Sequence, residues 1–403
     1  MRHYKFILII LIVMNFSLLF AFANDAEKYF QTISKAERLK YLSMAKVMNP
    51  AWKTQDASLD LLNWLNQKCE NFGKYTKDQE GRFLRPTVNC DYEPATEDNK
   101  LDGMTPKFRC AFFINGKIKK FKIKYGKNGR PASNKETPNG IMSTAFTNYL
   151  GFAADSYCPS VIQCKGCPSG DPWNNNRSSA PKSNQTYSFD NAIIEIKYKG
   201  EKITEPGPFK KPQGFTWAEL KNIDATLNQK DKEKILLERE ALMFWNVFIK
   251  NTDADAHNNR LVCTDSVESG NNTFLCKDVI GYSHDYGDTF GMLSLFGYQG
   301  SVLWRPFFGG SGKKQCVGNL KNSEKGSFIS YARFSEEARA LLVERLSLLP
   351  PSLIYDVFML AEMDRVDTST NITDWVQTFQ KKLNEIKQAT CEPFASRKTV
   401  LGQ

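Results

Sequence analysis

The chain has 403 residues, with 54 Lys and Arg against 44 Asp and Glu and a formal net charge of +10. The surplus of cations is spread along the chain and not gathered into a stripe, which argues against dedicated nucleic-acid binding. At about 150 residues per domain, the length suits two domains or one large two-lobed unit with a full core.

Residues 1–23 read as a secretory signal peptide, with Arg2 and Lys5, an apolar run over residues 6–19, and Ala21-Phe22-Ala23 as a small-x-small cleavage site. The apolar run is short for a membrane span and no Cys stands at the cleavage site. The expected mature protein is therefore exported, periplasmic or secreted, with no membrane span. All ten cysteines follow the signal peptide, and an even count in an exported chain predicts disulfides. Cys263 and Cys276 flank a polar loop between two strand-like pieces and are the first expected pair. Cys164-x-x-Cys167 lacks a second such motif, so a structural role is favoured over a redox or half-zinc one.

Residues 24–102 are expected to form an N-terminal helical extension, periodic over residues 26–68, followed by a turn-rich linker. From residue 107 the period becomes that of strands. Two β-rich runs around Asn115-Gly116 predict a hairpin, and Lys122 and Lys124 share one face of its second strand. A Gly- and Pro-rich loop then leads to a helix over residues 141–150. A Cys-rich loop spans residues 158–181, a strand residues 191–199, and a helix residues 216–227. A strongly apolar helix over residues 235–249 ends in the polar turn K-N-T-D-A-D-A-H-N-N. Ser335 is a good N-cap, and helices follow over residues 338–349, 352–363 and 375–387, before a tail from residue 391. A β-rich part over residues 103–215 and a helical part over residues 216–390 make the fold class α+β and bilobal.

The chemistry concentrates in two stretches. The turn after the apolar helix holds Asp253, Asp255, His257 and Asn258, and H-D-Y-G-D-T-F-G carries Asp285 beside glycines, just past the strand at Val279-Ile280. An Asp, an Asn five residues on, and a second Asp beside Gly suit metal-nucleotide phosphoryl transfer, which needs one carboxylate for a hydroxyl proton and two oxygen ligands for Mg2+. An EF-hand loop counted from Asp253 fails, with Asn258 where Gly belongs and Thr264 where Glu belongs. A zinc hydrolase would have to use His257, His284 and an Asp, with no H-E-x-x-H pair. Helix capping by Asn251, Thr252, Asp253 and Asp255 accounts for the first stretch alone but not for the second.

These two stretches resemble the catalytic and metal-binding segments of the atypical kinase superfamily, which takes in the phosphatidylinositol 3- and 4-kinases, the HipA-type kinases and the secretory-pathway casein kinases. With K-F-K-I-K-Y-G, N-Y-L-G-F-A-A-D, C-K-G-C-P and F-T-W-A-E-L, they also resemble a bacterial family of exported kinase-like proteins, over about residues 103–387. The resemblance implies a kinase-like fold that uses ATP and Mg2+, or Mn2+ in its place, with a protein hydroxyl as acceptor. It implies that Asp253 is the base, with Asp255 and His257 in support, and that Asn258 and Asp285 are metal ligands. Lys124, or Lys122, would contact the phosphates, and Lys107 would lie by the phosphate-covering loop. Kinase folds pair the strand lysine with a Glu on the next helix, and residues 141–150 hold no acid. Glu136, in the loop before that helix, or Glu195 would have to substitute. If neither reaches the lysine, the chain is expected to be an inactive pseudokinase acting as a secreted binding protein.

Overall fold

A computed structural model of the chain describes residues 31–32, 34–96, 100–101, 103, 105–127, 130, 133–174, 179–206, 212–217, 219–254, 258–268, 274–303, 316–320 and 332–393. The signal-peptide segment lies outside the described residues, as do Asp255, His257 and most of the expected tail. The chain is α+β, sheet-rich in its first half and helical in its second.

The N-terminal helices α1 (Lys35–Met44) and α2 (Leu61–Lys68) start on side-chain caps, Ser34 accepting from the Glu37 amide and Asp60 from that of Asn63. They are tied into the rest of the structure. The segment after α1 bonds in both directions: Lys46 N donates to Val279 O at 2.9 Å, Gly281 N donates to Lys46 O at 2.7 Å, and Ala153 N donates to Val47 O at 2.9 Å. The buried Arg239 guanidinium donates to the carbonyls of Leu42 at 2.7 Å and Ala45 at 3.0 Å, filling acceptors that the end of α1 leaves open.

Five strands close into a barrel: β1 (Thr87–Glu93), β2 (Lys107–Ile114), β3 (Lys117–Tyr125), β4 (Ser156–Lys165) and β5 (Thr186–Ile196), in the order β1-β2-β3-β5-β4 with a parallel β1/β4 seam. The β2–β3 hairpin turns at Asn115-Gly116 with φ of 51° and 76°, as a two-residue hairpin turn demands. Alternation along β2 sends Phe108, Cys110 and Phe112 into the core, and the Phe108, Tyr125 and Phe189 rings meet with centroids 4.8 to 5.6 Å apart. Two barrel strands fall where the sequence suggested loops. β1 lies within the expected linker, and β4 overlaps the start of the expected Cys-rich loop. Disulfides Cys69–Cys158, Cys90–Cys110 and Cys164–Cys167 make these cysteines buried apolar positions, so the strand pattern is carried by sulfur instead of by Val and Ile.

A second sheet holds β6 (Glu201–Pro206), β7 (Asn259–Glu268) and β8 (Phe274–Ser283), antiparallel in that order, with Gln31–Thr32 added parallel to β6. Cys263–Cys276 clamps β7 to β8, the pair expected first. Of the helix expected over residues 216–227, only a single 3-10 turn forms at Glu219–Lys221. Asp224 instead caps the next turn, accepting from Thr226 N at 2.8 Å.

Helix α3 (Glu136–Tyr149) runs from the barrel into the helical half and is buried from Thr137 to its end. It meets α4 (Gln229–Phe248), α6 (Pro351–Leu360) and α7 (Ile372–Gln388) in an aromatic core, and α5 (Glu336–Ser347) packs on α4 and α7. There Phe146 lies 5.0 Å from Phe379, Phe248 lies 5.0 Å from Phe379, and the Trp245 indole donates to Thr147 Oγ1 at 2.9 Å. No described helix is long and apolar enough to cross a membrane.

Candidate active site

The polar turn leaves α4 through Lys250, whose φ of +54° bends the chain back, and Asn251 fastens the bend by donating to Asn246 from backbone and side chain, at 2.8 and 2.7 Å. Two backbone bonds then hold this turn against the D-Y-G-D segment. Thr252 N donates to Asp288 O at 2.9 Å, and Phe290 N donates to Ile249 O at 2.7 Å. Within the turn Asn258 Nδ2 donates to Asp253 O at 2.8 Å, and Asn258 O accepts from His284 N at 2.6 Å and from Asp285 N at 3.3 Å. The five-residue step from Asp253 to Asn258 thus closes a loop, and that loop is fixed to Asp285. The Trp217 indole donates to Ala254 O at 2.9 Å and backs the turn from outside.

Lys124 comes to this point from the barrel. Its side chain is 1% exposed, and Nζ lies 2.7 Å from Glu136 Oε2, 3.5 Å from Asp285 Oδ1 and 3.1 Å from the Tyr157 hydroxyl. Lys124 is therefore a buried group and not part of a solvated strand edge. Burial works against its charge, but Asp285 and Glu136 outweigh burial and raise its pKa well above the ordinary lysine range. Burial likewise opposes ionisation of Glu136 and Asp285, and in both the Lys124 ammonium reverses the sign and leaves the carboxylate below its ordinary range. Both acids are ionised at neutral pH, so two carboxylates face one ammonium. Lys107 acts on both carboxylates and Lys122 on Asp285, so the two acids sit in a cationic surround.

Glu136 corrects the expectation that the helix after the hairpin lacks an acid. The helix begins at Glu136, five residues before its apolar periodicity becomes visible, and Glu136 stands in its first turn. Asn134 sets this start by donating to Tyr125 O at 2.9 Å and Pro106 O at 3.2 Å and accepting from Glu136 N at 3.2 Å. The same helix grips the D-Y-G-D segment, with Asn139 Nδ2 donating to Gly287 O at 2.6 Å and Ser143 Oγ 2.9 Å from Thr289 Oγ1. Gly287 is required by close approach, because a Cβ there would lie 2.8 Å from Glu136 Cγ.

The other candidates separate. Glu195 is not the partner of Lys124. It pairs with Lys122 at 2.5 Å and with Lys197, so Lys122 is also drawn away from the Lys124 centre. Lys107 faces Lys124 across the ladder, with its ammonium over the Trp173 ring and its pKa brought down to about 8 by burial, then Lys124 and Lys122, against the pull of Glu136. Asp255 and His257 lie outside the described residues.

A second buried cluster, in which the sequence had singled out His284 but not Asp155 or Lys197, adjoins the first. Asp155 Oδ2 lies 2.7 Å from His284 Nδ1 and 3.2 Å from Lys197 Nζ, and Asp155 Oδ1 accepts from Tyr198 N at 2.8 Å. Burial opposes the Asp155 charge, yet Lys197 and His284 hold it below the ordinary carboxylate range. Burial lowers Lys197, against the pull of Asp155, and lowers His284, reinforced by Lys197. Asp155 lies just before β4 and Tyr157 at its start, in a D-S-Y stretch whose spacing gives no chemical signal.

No protein-family profile matches the chain, and no curated protein matches it. Among solved structures it is similar to the crystal structure of a Helicobacter pylori proinflammatory kinase, CtkA, at 10% identity. The match covers 76% of this chain and 95% of that one, with a TM-score of 0.36.

Proposed function

We propose that the protein is a kinase-like phosphotransferase that moves a phosphoryl group from Mg2+-ATP to a hydroxyl, with a protein as acceptor. The carrying observation is the buried centre in which Lys124 meets Glu136 and Asp285, with the Asp253–Asn258 loop bonded to the Asp285 backbone. In this reading Lys124 contacts the nucleotide phosphates and Glu136 holds its ammonium in place. Lys107, beside Lys124, adds positive charge at the same end of the hairpin. Asp253 accepts the proton of the acceptor hydroxyl as it attacks, and Asp255 and His257 are assigned supporting roles in the same turn.

The donor set fits a hard divalent cation. Asp285 is partly exposed and ionised, and Asn258 offers a side-chain amide, so both supply oxygen ligands. Asp285 and Asn258 would hold Mg2+, which neutralises charge on the phosphates when bound. The pseudokinase alternative drew its support from a helix without an acid, and Glu136 in the first turn of α3 removes that support. Five disulfides fit an exported protein, since such bonds persist in oxidising compartments.

Thermal shift with Mg2+-ATP, combined with a phosphoryl-transfer assay, tests the reading. A ligand at 100 times its dissociation constant adds about 2.7 kcal/mol to native stability. Asp285→Ala is expected to abolish the shift, whereas Asp253→Asn keeps the shift and lowers transfer by about 100-fold or more, the usual contribution of a general base. Full transfer by Asp253→Asn refutes its assignment as the base. Absence of any nucleotide shift in the wild type refutes the phosphotransferase.

A further inference from the structure

Asp155, Glu195 and His284 bring two carboxylates and an imidazole together in the interior, with one ligand atom from each all within 4.8 Å of one another. Each residue is at most 8% exposed. They come from three separate places, the segment after α3, the end of β5, and the segment after β8, so the convergence is a product of the fold and not of local sequence. A cation already sits among them. The Lys197 ammonium lies 3.2 Å from Asp155 Oδ2, 3.1 Å from His284 Nδ1, and in ion-pair contact with Glu195 Oε1. Lys122 balances the other oxygen of Glu195 at 2.5 Å. Lys197 and Lys122 thus answer two buried carboxylates, and withdrawing Lys197 leaves three donor atoms facing inward.

Lys197 differs from its partners in one respect. Its side chain is 35% exposed, whereas those of Asp155 and Glu195 are fully buried. It enters from the surface just past the end of β5 and can leave by the same route, while the three donors are held by the strands and, for Asp155, by the Tyr198 amide.

We propose that Asp155, Glu195 and His284 form a second cation site that Lys197 fills as an internal stand-in and that a divalent metal ion such as Zn2+ or Mn2+ takes when Lys197 swings out. Two carboxylates and one imidazole form a mixed oxygen and nitrogen set that such ions accept, whereas Mg2+ prefers oxygen alone. The site is distinct from the Asp285 and Asn258 pair, since its donors come from other residues. It adjoins that pair through the chain, because the backbone amides of His284 and Asp285 share Asn258 O as acceptor. If the phosphotransferase reading holds, the occupant of this second site therefore bears on the loop that carries Asp285.

Zn2+ and Mn2+ binding, measured by titration calorimetry and by metal content after dialysis, tests the site without nucleotide and without any activity assay. Lys197→Ala is expected to bind one equivalent at least ten times more tightly than the wild type, because the competing ammonium is gone. Adding Asp155→Asn to that variant should remove the binding, and adding Asp285→Asn should leave it. Should Asp155→Asn fail to fold, Glu195→Gln in the same background serves, with circular dichroism to check the fold. Equal affinity in Lys197→Ala and wild type overturns the proposal, as does binding that survives loss of Asp155 or Glu195. Because Asp285→Asn disables the proposed nucleotide site and spares this one, failure of either reading leaves a different pattern.

Discussion

Replacing Lys124 with Met keeps the length and most of the apolar stem but removes the charge from a side chain that is 1% exposed. Glu136 Oε2 and Asp285 Oδ1 then face each other across the space the ammonium held. Stripping one partner from a buried ion pair costs about 3–5 kcal/mol, because the charge left behind has no compensation. Glu136 and Asp285 are 17% and 24% exposed, and water at those edges puts the expected loss at the lower end of that range. The pH dependence separates charge from packing. In the wild type both carboxylates are held below their ordinary range, so the stability they contribute is present above about pH 4 and lost as pH falls through their folded values. In Lys124→Met the two acids repel, one pKa rises, and the penalty shrinks as that acid takes up a proton on acidification. Urea unfolding of both proteins between pH 7.5 and pH 5 should show a gap of about 3 kcal/mol that narrows toward the acid end. A gap that stays constant with pH would mean the loss is one of packing, and the charged centre described here would be refuted.

Three further outcomes follow from single contacts. Gly287→Ala puts a Cβ 2.8 Å from Glu136 Cγ, and forcing the two apart should cost about 1–3 kcal/mol by urea unfolding and weaken nucleotide binding together with it. Replacing Cys263 and Cys276 together with Ser opens a short loop between β7 and β8, which should cost about 3 kcal/mol in the same measurement. Lys107, with its pKa near 8, is charged at pH 7 and largely neutral at pH 9, so nucleotide affinity by calorimetry should fall over that interval and fall less in Lys107→Arg.

The parts of the fold legible in the sequence were those in which one physical signal acts alone. The hairpin at Asn115-Gly116 announces itself because two consecutive residues with positive φ have few solutions, and the C-terminal helices do so through Ser335 and the Pro350-Pro351 break. β1 and β4 were not legible because the barrel stabilises them through disulfides and a parallel seam. T-V-N-C-D-Y-E and S-Y-C-P-S-V-I-Q-C-K look like loops until Cys90 and Cys164 are seen side by side in the ladder. The extension over residues 24–102 misleads in a different way. α1 and α2 are helices as expected, but Arg239 and the backbone of residues 46–47 fasten the first of them to the rest, through bonds that no local pattern reports.

The site shows the same division at the scale of single residues. Asp253, Asn258 and Asp285 stand out in the sequence because their five-residue step and glycine setting are local, and the structure brings Asn258 and Asp285 together through one backbone acceptor, Asn258 O. The start of α3 could not, and the cause lies in the packing that makes the centre work. Pro138 and Gly140 read as helix breakers. A proline in the first turn gives up an amide that would have no partner there, and is tolerated. Gly140 is demanded by Tyr157, whose ring would lie 2.0 Å from any Cβ at that position. Tyr157 in turn places its hydroxyl on Lys124. The glycine that hides the helix from a propensity reading is therefore the one that lets Tyr157 and Glu136 reach the same ammonium. Gly140→Ala would favour the helix by intrinsic propensity, yet it should lower stability and disturb Lys124, because the tyrosine ring has to move.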